Sequence, residues 1–256
     1  MSTGALAGCG VLITRPEHQS HELAAAIDAA DGNVFHFPAI DITGRDIDEI
    51  QKDFDALPAP DIVVFVSSNA VAHGFAFVKD DNARIAAVGP ATRAAIEALG
   101  ATADIFPAHG FDSEHLLEHA ALQEINDQNV IIMRGQSGRE LLADTLIGRG
   151  ANVDYLCVYN RTPHEPAAAE LEKLASILHQ GRVHFMTVMS VETLEHLVKI
   201  LPSQSLSLLR QSTLVAPSTR VIQTAAELIP GIATVLAPGP QAPAMSDTLS
   251  TLWQTG

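Results

Sequence analysis

One unit of this chain occurs twice, and that repeat limits the possible folds more than any other feature. Residues 129–162 read NVIIMRGQSGRELLADTLIGRGANVDYLCVYNRT. The β-branched run Val130-Ile131-Ile132 leads into a Gly-rich turn at 134–138. Apolar residues at helical spacing follow (Leu141, Leu142, Leu146), and Gly148 and Gly150 end the helix before a second β run, 153–159. This is a strand–loop–helix–strand unit. The N-terminus carries a near-copy, GVLITRPEHQSHELAAAIDAADGNVFHFPAI, in which Arg15 precedes Val34 by the same 19 residues that separate Arg134 from Val153. A second pair matches as well: VGPATRAAIEALG at 88–100 and VAPSTRVIQTAAELIPG at 215–231. The chain therefore runs A, B, A, B, one architecture used twice.

Between these landmarks, strands alternate with helices. Strands are expected at 11–13, 61–66, 84–88, 103–106, 130–132, 153–159, 183–188, 212–215 and 232–236. Helices are expected at 20–30, 46–57, 70–77, 93–99, 114–122, 141–146, 167–178, 191–201, 220–228 and 245–253. Residues 34–42, around Pro38, read as an edge strand or a crossing linker. Such alternation gives parallel sheets covered on both faces. The expected fold is α/β: two doubly wound parallel-sheet domains, which fit 256 residues. Repetition alone would cut the chain near residue 126.

Composition narrows the function classes. A net charge of −15 argues against general nucleic-acid binding. No apolar run is long enough to span a membrane, and the N-terminus lacks the basic start and apolar core of a secretory signal, so a cytoplasmic protein is expected. Cys9 and Cys157 read as reduced thiols in strand-like contexts. The cations are eleven Arg against four Lys, several of them beside loops. An Arg fork grips carboxylate or phosphate with two bonds, so a small anionic ligand fits.

In open α/β sheets, ligands lie beyond the carboxyl ends of the strands. Those ends carry Thr14, Ser67-Ser68-Asn69, Gly89 through Thr92, Arg134-Gly135, Met189-Ser190 and Ser218-Thr219, each opening a helix. Helix N-termini favour anions, and Ser, Thr and Asn also cap them, so both readings apply. Neither a phosphate-binding glycine loop nor a G-x-S-x-G elbow is present. His115 and His119, four apart, read as a solvated helix face with no third metal ligand evident. Tyr159, one of two tyrosines, ends an extended segment and could donate a proton.

The segments LITRP, FPAIDI, FVSSNAV, AAVGPATRAAIEALG, MRGQSGRELLADTL and VYNRT together resemble the uroporphyrinogen-III synthase family, in that family's order and over nearly the whole chain. The resemblance implies residues 1–36 plus 162–256 as one domain and 43–154 as the other, with 37–42 and 155–161 as a two-stranded linker. It implies an open cleft that closes on ligand, and a monomer. It also implies closure of hydroxymethylbilane to uroporphyrinogen III with inversion of ring D and loss of water, without metal or organic cofactor, and with possible hand-off from hydroxymethylbilane synthase. Tyr159 would assist departure of the hydroxyl. Thr14, Ser67, Ser68, Asn69, Gly89, Thr92, Ser190 and Ser218 would hold carboxylate arms, with Arg15, Arg134 and Arg139 either joining them or bracing the loops. The rivals are a non-catalytic two-lobed sensor of small anions, and a sugar or nucleotide enzyme of similar lobes.

Overall fold

The computed structural model describes residues 4–78, 82–136 and 140–255. From the N-terminus run β1 (Gly10–Ile13), α1 (His21–Ala29), β2 (Asn33–His36), β3 (Ile40–Gly44), α2 (Ile47–Asp55), β4 (Ile62–Phe65), α3 (Ser68–Gly74), β5 (Arg84–Ala87), α4 (Pro90–Ala98) and α5 (Ser113–Leu116). There follow β6 (Asn129–Gly135), α6 (Leu141–Gly148), β7 (Asn152–Pro163), α7 (Ala168–His179), β8 (Phe185–Thr187), α8 (Val191–Ile200), α9 (Ser203–Leu209), β9 (Thr213–Ala216), α10 (Thr219–Leu228), β10 (Ala233–Leu236) and α11 (Ala242–Thr255).

The chain divides into two units, Met1–Asp41 with Thr162–Gly256, and Ile42–Arg161. The first holds a sheet ordered β10-β9-β8-β1-β2, all pairs parallel. The second holds a sheet ordered β3-β7-β6-β4-β5, parallel from β7 to β5. The repeat explains both orders. β1 and β2 correspond to β6 and β7, while β8 and β9 correspond to β4 and β5. The counterpart of β10 is a single parallel bridge, Ala86 to Ile105, where a strand was expected at 103–106. Each sheet thus combines one A half with one B half of the sequence.

Alternation along the strands loads both faces. In the first unit, Leu12, Met186 and Leu214 pack with Leu174, Leu194 and Val221 on one face, while Val11, Ile13 and Val215 pack with Leu23, Ile27 and Leu249 on the other. In the second, Ile62, Val64 and Ile132 meet Leu116, Leu142 and Leu146, while Val63, Phe65 and Ile131 meet Ile50, Val71 and Ile96. Each such fully buried aliphatic side chain contributes about 1.5–3 kcal/mol. This is why the strands read as near-continuous apolar runs.

Four expectations are corrected. Residues 34–42 form two strands, β2 in the first sheet and β3 in the second. Residues 155–159, expected as linker, pair with β6 and belong to the second sheet. The helix at 114–122 breaks into α5 and a short 3-10 turn at Ala120–Leu122, because the His119 ring accepts from the Ala121 N–H and starts a new cap. A helix not expected, α9, forms after Pro202. Its three serines are weak helix formers, and burial of Ser205 and Leu209 supplies what propensity does not.

Candidate active site

In the second unit, β4 ends in Ser67, the N-cap of α3, whose Oγ accepts from the Ala70 N–H at 3.1 Å. The same Oγ lies 3.3 Å from the hydroxyl of Tyr159. Ser68 is half-buried on the first turn, and Asn69 is buried behind it. β5 ends in Gly89, which offers no side chain to cap α4, and Pro90 occupies the first helical position. The amides of Ala91 and Thr92 therefore lack a capping side chain, at the positive end of the helix dipole. Thr92 is 4% exposed and anchors that turn from below.

The sequence reading of Tyr159 as an open phenol is corrected. Only 5% of its surface is exposed, and its ring belongs to the core between the sheet and α3. The cause is a register shift. Arg134 faces Cys157, but Gly135 faces Tyr159, so Val158 is an extra residue in β7. The ring then lies against Gly135, where a Cβ would come within 2.8 Å of Cε2 and 2.9 Å of Cζ. His73 of α3 flanks the ring, with centroids 6.2 Å apart. Gly135 and His73 were not singled out from sequence; the Arg-Gly pair after β6 was the only signal for the first, and the second had none. The polar group presented at this end of β4 is the Ser67 hydroxyl, with the phenol just beneath it.

Arg134 is 7% exposed and engaged. Nη1 donates to Glu140 Oε1 at 3.2 Å, and the guanidinium lies 4.5 Å over the Tyr155 ring. The Tyr155 hydroxyl donates to the other oxygen of Glu140. Burial and this carboxylate push the Tyr155 phenol up to about 12. The Tyr155 bond, then Arg134, hold the Glu140 carboxyl below its ordinary value. Arg134 thus braces the loop after β6. Arg139, expected beside it, lies outside the described residues.

In the first unit, Thr14 does not reach the surface. It is 0% exposed, and its Oγ1 donates to the Thr187 carbonyl at 2.8 Å, tying β1 to β8. This corrects its expected place among the carboxylate-holding groups. Arg15, the next residue, is half-buried. Burial lowers its pKa, with Glu22 opposing only through space. A desolvated guanidinium of this kind is suited to an incoming carboxylate. Ser190 caps α8, accepting from the Thr193 N–H at 3.1 Å and sharing a 2.8 Å bond with the Thr193 hydroxyl. Ser218 precedes α10 without capping it through its side chain, leaving that hydroxyl at the rim. Both cysteines are free; burial raises the Cys9 thiol to about 12, which makes it inert.

Residues 21–247 match the family model described as uroporphyrinogen-III synthase HemD. The chain belongs to the uroporphyrinogen-III synthase family. It is 32% identical over 200 residues to a uroporphyrinogen-III synthase of Salmonella typhimurium, covering 75% of this chain and 80% of the relative. A uroporphyrinogen-III synthase of Escherichia coli is 29% identical over 201 residues, with the same coverage. Among solved structures, the Helicobacter pylori uroporphyrinogen-III synthetase superposes with a TM-score of 0.63 at 13% identity, covering 95% of this chain and 99% of that one. A Thermus thermophilus uroporphyrinogen III synthase mutant gives 0.61 at 16% identity, covering 97% and 100%. At such identities the two structures carry the family's fold only. Among the described residues, no helix is long and apolar enough to cross a membrane.

Proposed function

We propose that this chain is a uroporphyrinogen-III synthase. It closes the linear tetrapyrrole hydroxymethylbilane to uroporphyrinogen III, inverting the terminal pyrrole ring and releasing water. The loss of water makes it a carbon–oxygen lyase. The observation that carries this reading is the family match over residues 21–247.

The substrate's own pyrroles supply the electron push, so the protein has three tasks: to help the hydroxyl leave, to fold a flexible chain, and to prevent closure without inversion. All three are mainly positioning, with one proton donor. The Ser67–Tyr159 pair is the donor in this proposal. Ser67 meets the leaving oxygen, and Tyr159, behind it, fixes the direction of the serine proton and can replenish it. Carboxylate arms are met in one unit by the open amides of Ala91 and Thr92 and by Ser68. In the other unit they are met by Arg15 and Ser218, with Ser190 and its helix N-terminus as a further contact. The reaction needs no metal or organic cofactor. The substrate, which is unstable in water, arrives by transient hand-off from hydroxymethylbilane synthase.

The test is to supply freshly made hydroxymethylbilane and resolve the oxidised products by isomer. Type III porphyrin is expected. Type I alone, as forms in buffer, would reduce the chain to a binder of small anions.

A further inference from the structure

We propose that His109, His115 and Glu118, in the second unit, form a divalent-cation site suited to zinc. The sequence offered His115 and His119, four residues apart, but the break after α5 separates them and turns His119 to its own cap. The fold instead brings in His109 from the loop before α5. One ligand atom from each of His109, His115 and Glu118 lies within 4.8 Å of the others. His109 Nε2 stands 3.4 Å from Glu118 Oε2. That is the edge of a tetrahedron with bonds of about 2.1 Å, the length of zinc–nitrogen and zinc–oxygen bonds.

Two further features set the donors. Asp112 Oδ1 bonds Nδ1 of His115 at 2.5 Å and also accepts the His115 backbone N–H at 2.9 Å. A carboxylate on one ring nitrogen fixes the tautomer and leaves the other nitrogen its lone pair, the usual support of a metal-bound histidine. The loop is shaped by Gly110, whose φ is +60°, a conformation that L side chains rarely adopt. A Cβ there would overlap the His115 ring, 2.2 Å from Nδ1, so glycine lets the ring lie on the backbone and the two imidazoles meet edge to face at 5.1 Å. Two imidazoles and a carboxylate are a donor set that suits zinc, and the exposure of His109 and Glu118 leaves room for water at a fourth position. The site borders the α4 N-terminus, since Phe111 of the same loop places its carbonyl 3.9 Å from where a Gly89 Cβ would stand. An ion here would pin residues 109–118 without joining the ring closure.

The experiment titrates the full-length chain with zinc against a chromogenic chelator at about pH 8, where imidazole is neutral. One equivalent is expected to bind. His109→Ala and Glu118→Gln should abolish that binding, and Asp112→Asn should weaken it by roughly 10–100-fold through loss of ring support. The exposed His18→Ala should leave it unchanged. Cobalt in place of zinc should give the intense visible bands of a tetrahedral site, lost in the same variants. No uptake of either ion, or uptake indifferent to His109→Ala and Glu118→Gln, would overturn the proposal and leave these groups an ordinary ion pair.

Discussion

Gly135→Ala should disable the Ser67–Tyr159 pair without touching either residue. The new methyl would stand 2.8 Å from Cε2 and 2.9 Å from Cζ of Tyr159. Ordinary carbon contacts begin near 3.4 Å, so the ring must move by about 0.5–0.6 Å. The hydroxyl starts 3.3 Å from Ser67 Oγ. A displacement of that size away from Ser67 takes it to roughly 3.9 Å, where no hydrogen bond remains. The backbone tolerates alanine, because Gly135 is not among the residues of positive φ. Overpacking should cost about 1–3 kcal/mol, offset by about 0.4–1 kcal/mol from a less free unfolded chain. Activity should fall about tenfold or more, the size of one positioned hydrogen bond at a reacting group. The assay is kcat for type III product, with urea unfolding in parallel, on Gly135→Ala, Tyr159→Phe and the double variant. If the glycine acts by placing the phenol, it adds no further loss of activity in the Tyr159→Phe background but still costs stability. Full activity in Gly135→Ala, or losses that simply multiply in the double variant, would refute the reasoning.

Arg15→Met should raise KM about tenfold, leave kcat nearly unchanged and not destabilise the fold, since burial already disfavours the charge; an unchanged KM would remove Arg15 from the ligand contacts. Ser68→Ala alone should lower kcat/KM less than tenfold, because carboxylate holding is spread over several amides and hydroxyls; a loss of orders of magnitude would contradict distributed binding. Thr14→Val should cost about 1–3 kcal/mol of stability by orphaning the Thr187 carbonyl, with KM unaffected. His184 has its pKa lowered from 6.5 by burial, and its Nδ1 accepts from the Gly10 N–H at 2.8 Å. Its contribution is complete above 6.5, the unfolded value, and is lost as pH falls through the lower folded value. His184→Gln should therefore flatten stability against pH in that mildly acidic window; equal slopes in the two proteins would contradict this.

The repeat made the two sheets legible, because apolar periodicity and strand–helix alternation are local properties. The rim was legible for the same reason: Ser67, Gly89, Ser190 and Ser218 each follow a strand and open a helix. Which rim residues stay open was not, since that depends on distant neighbours. Thr14 is closed by Thr187, brought alongside only when β8 pairs with β1. Tyr159 is closed by one unpaired residue in β7, and no single-strand pattern reveals a bulge that arises between two strands. Arg134 is occupied by Glu140, six residues on, a pairing that needs the loop to fold back. The helix expected at 114–122 shows the reverse failure, in which a helical pattern was continuous but a histidine ring out-competed the next turn for its amide.

Inverting the terminal ring requires breaking the bond between that ring and the methylene joining it to the third ring, whereas simple closure leaves it intact. The most direct test is therefore hydroxymethylbilane carrying carbon-13 at both ends of that bond, converted by this chain and read by nuclear magnetic resonance. The account predicts that the one-bond coupling between the two labels disappears from the product. A product in which the labels remain bonded would contradict it.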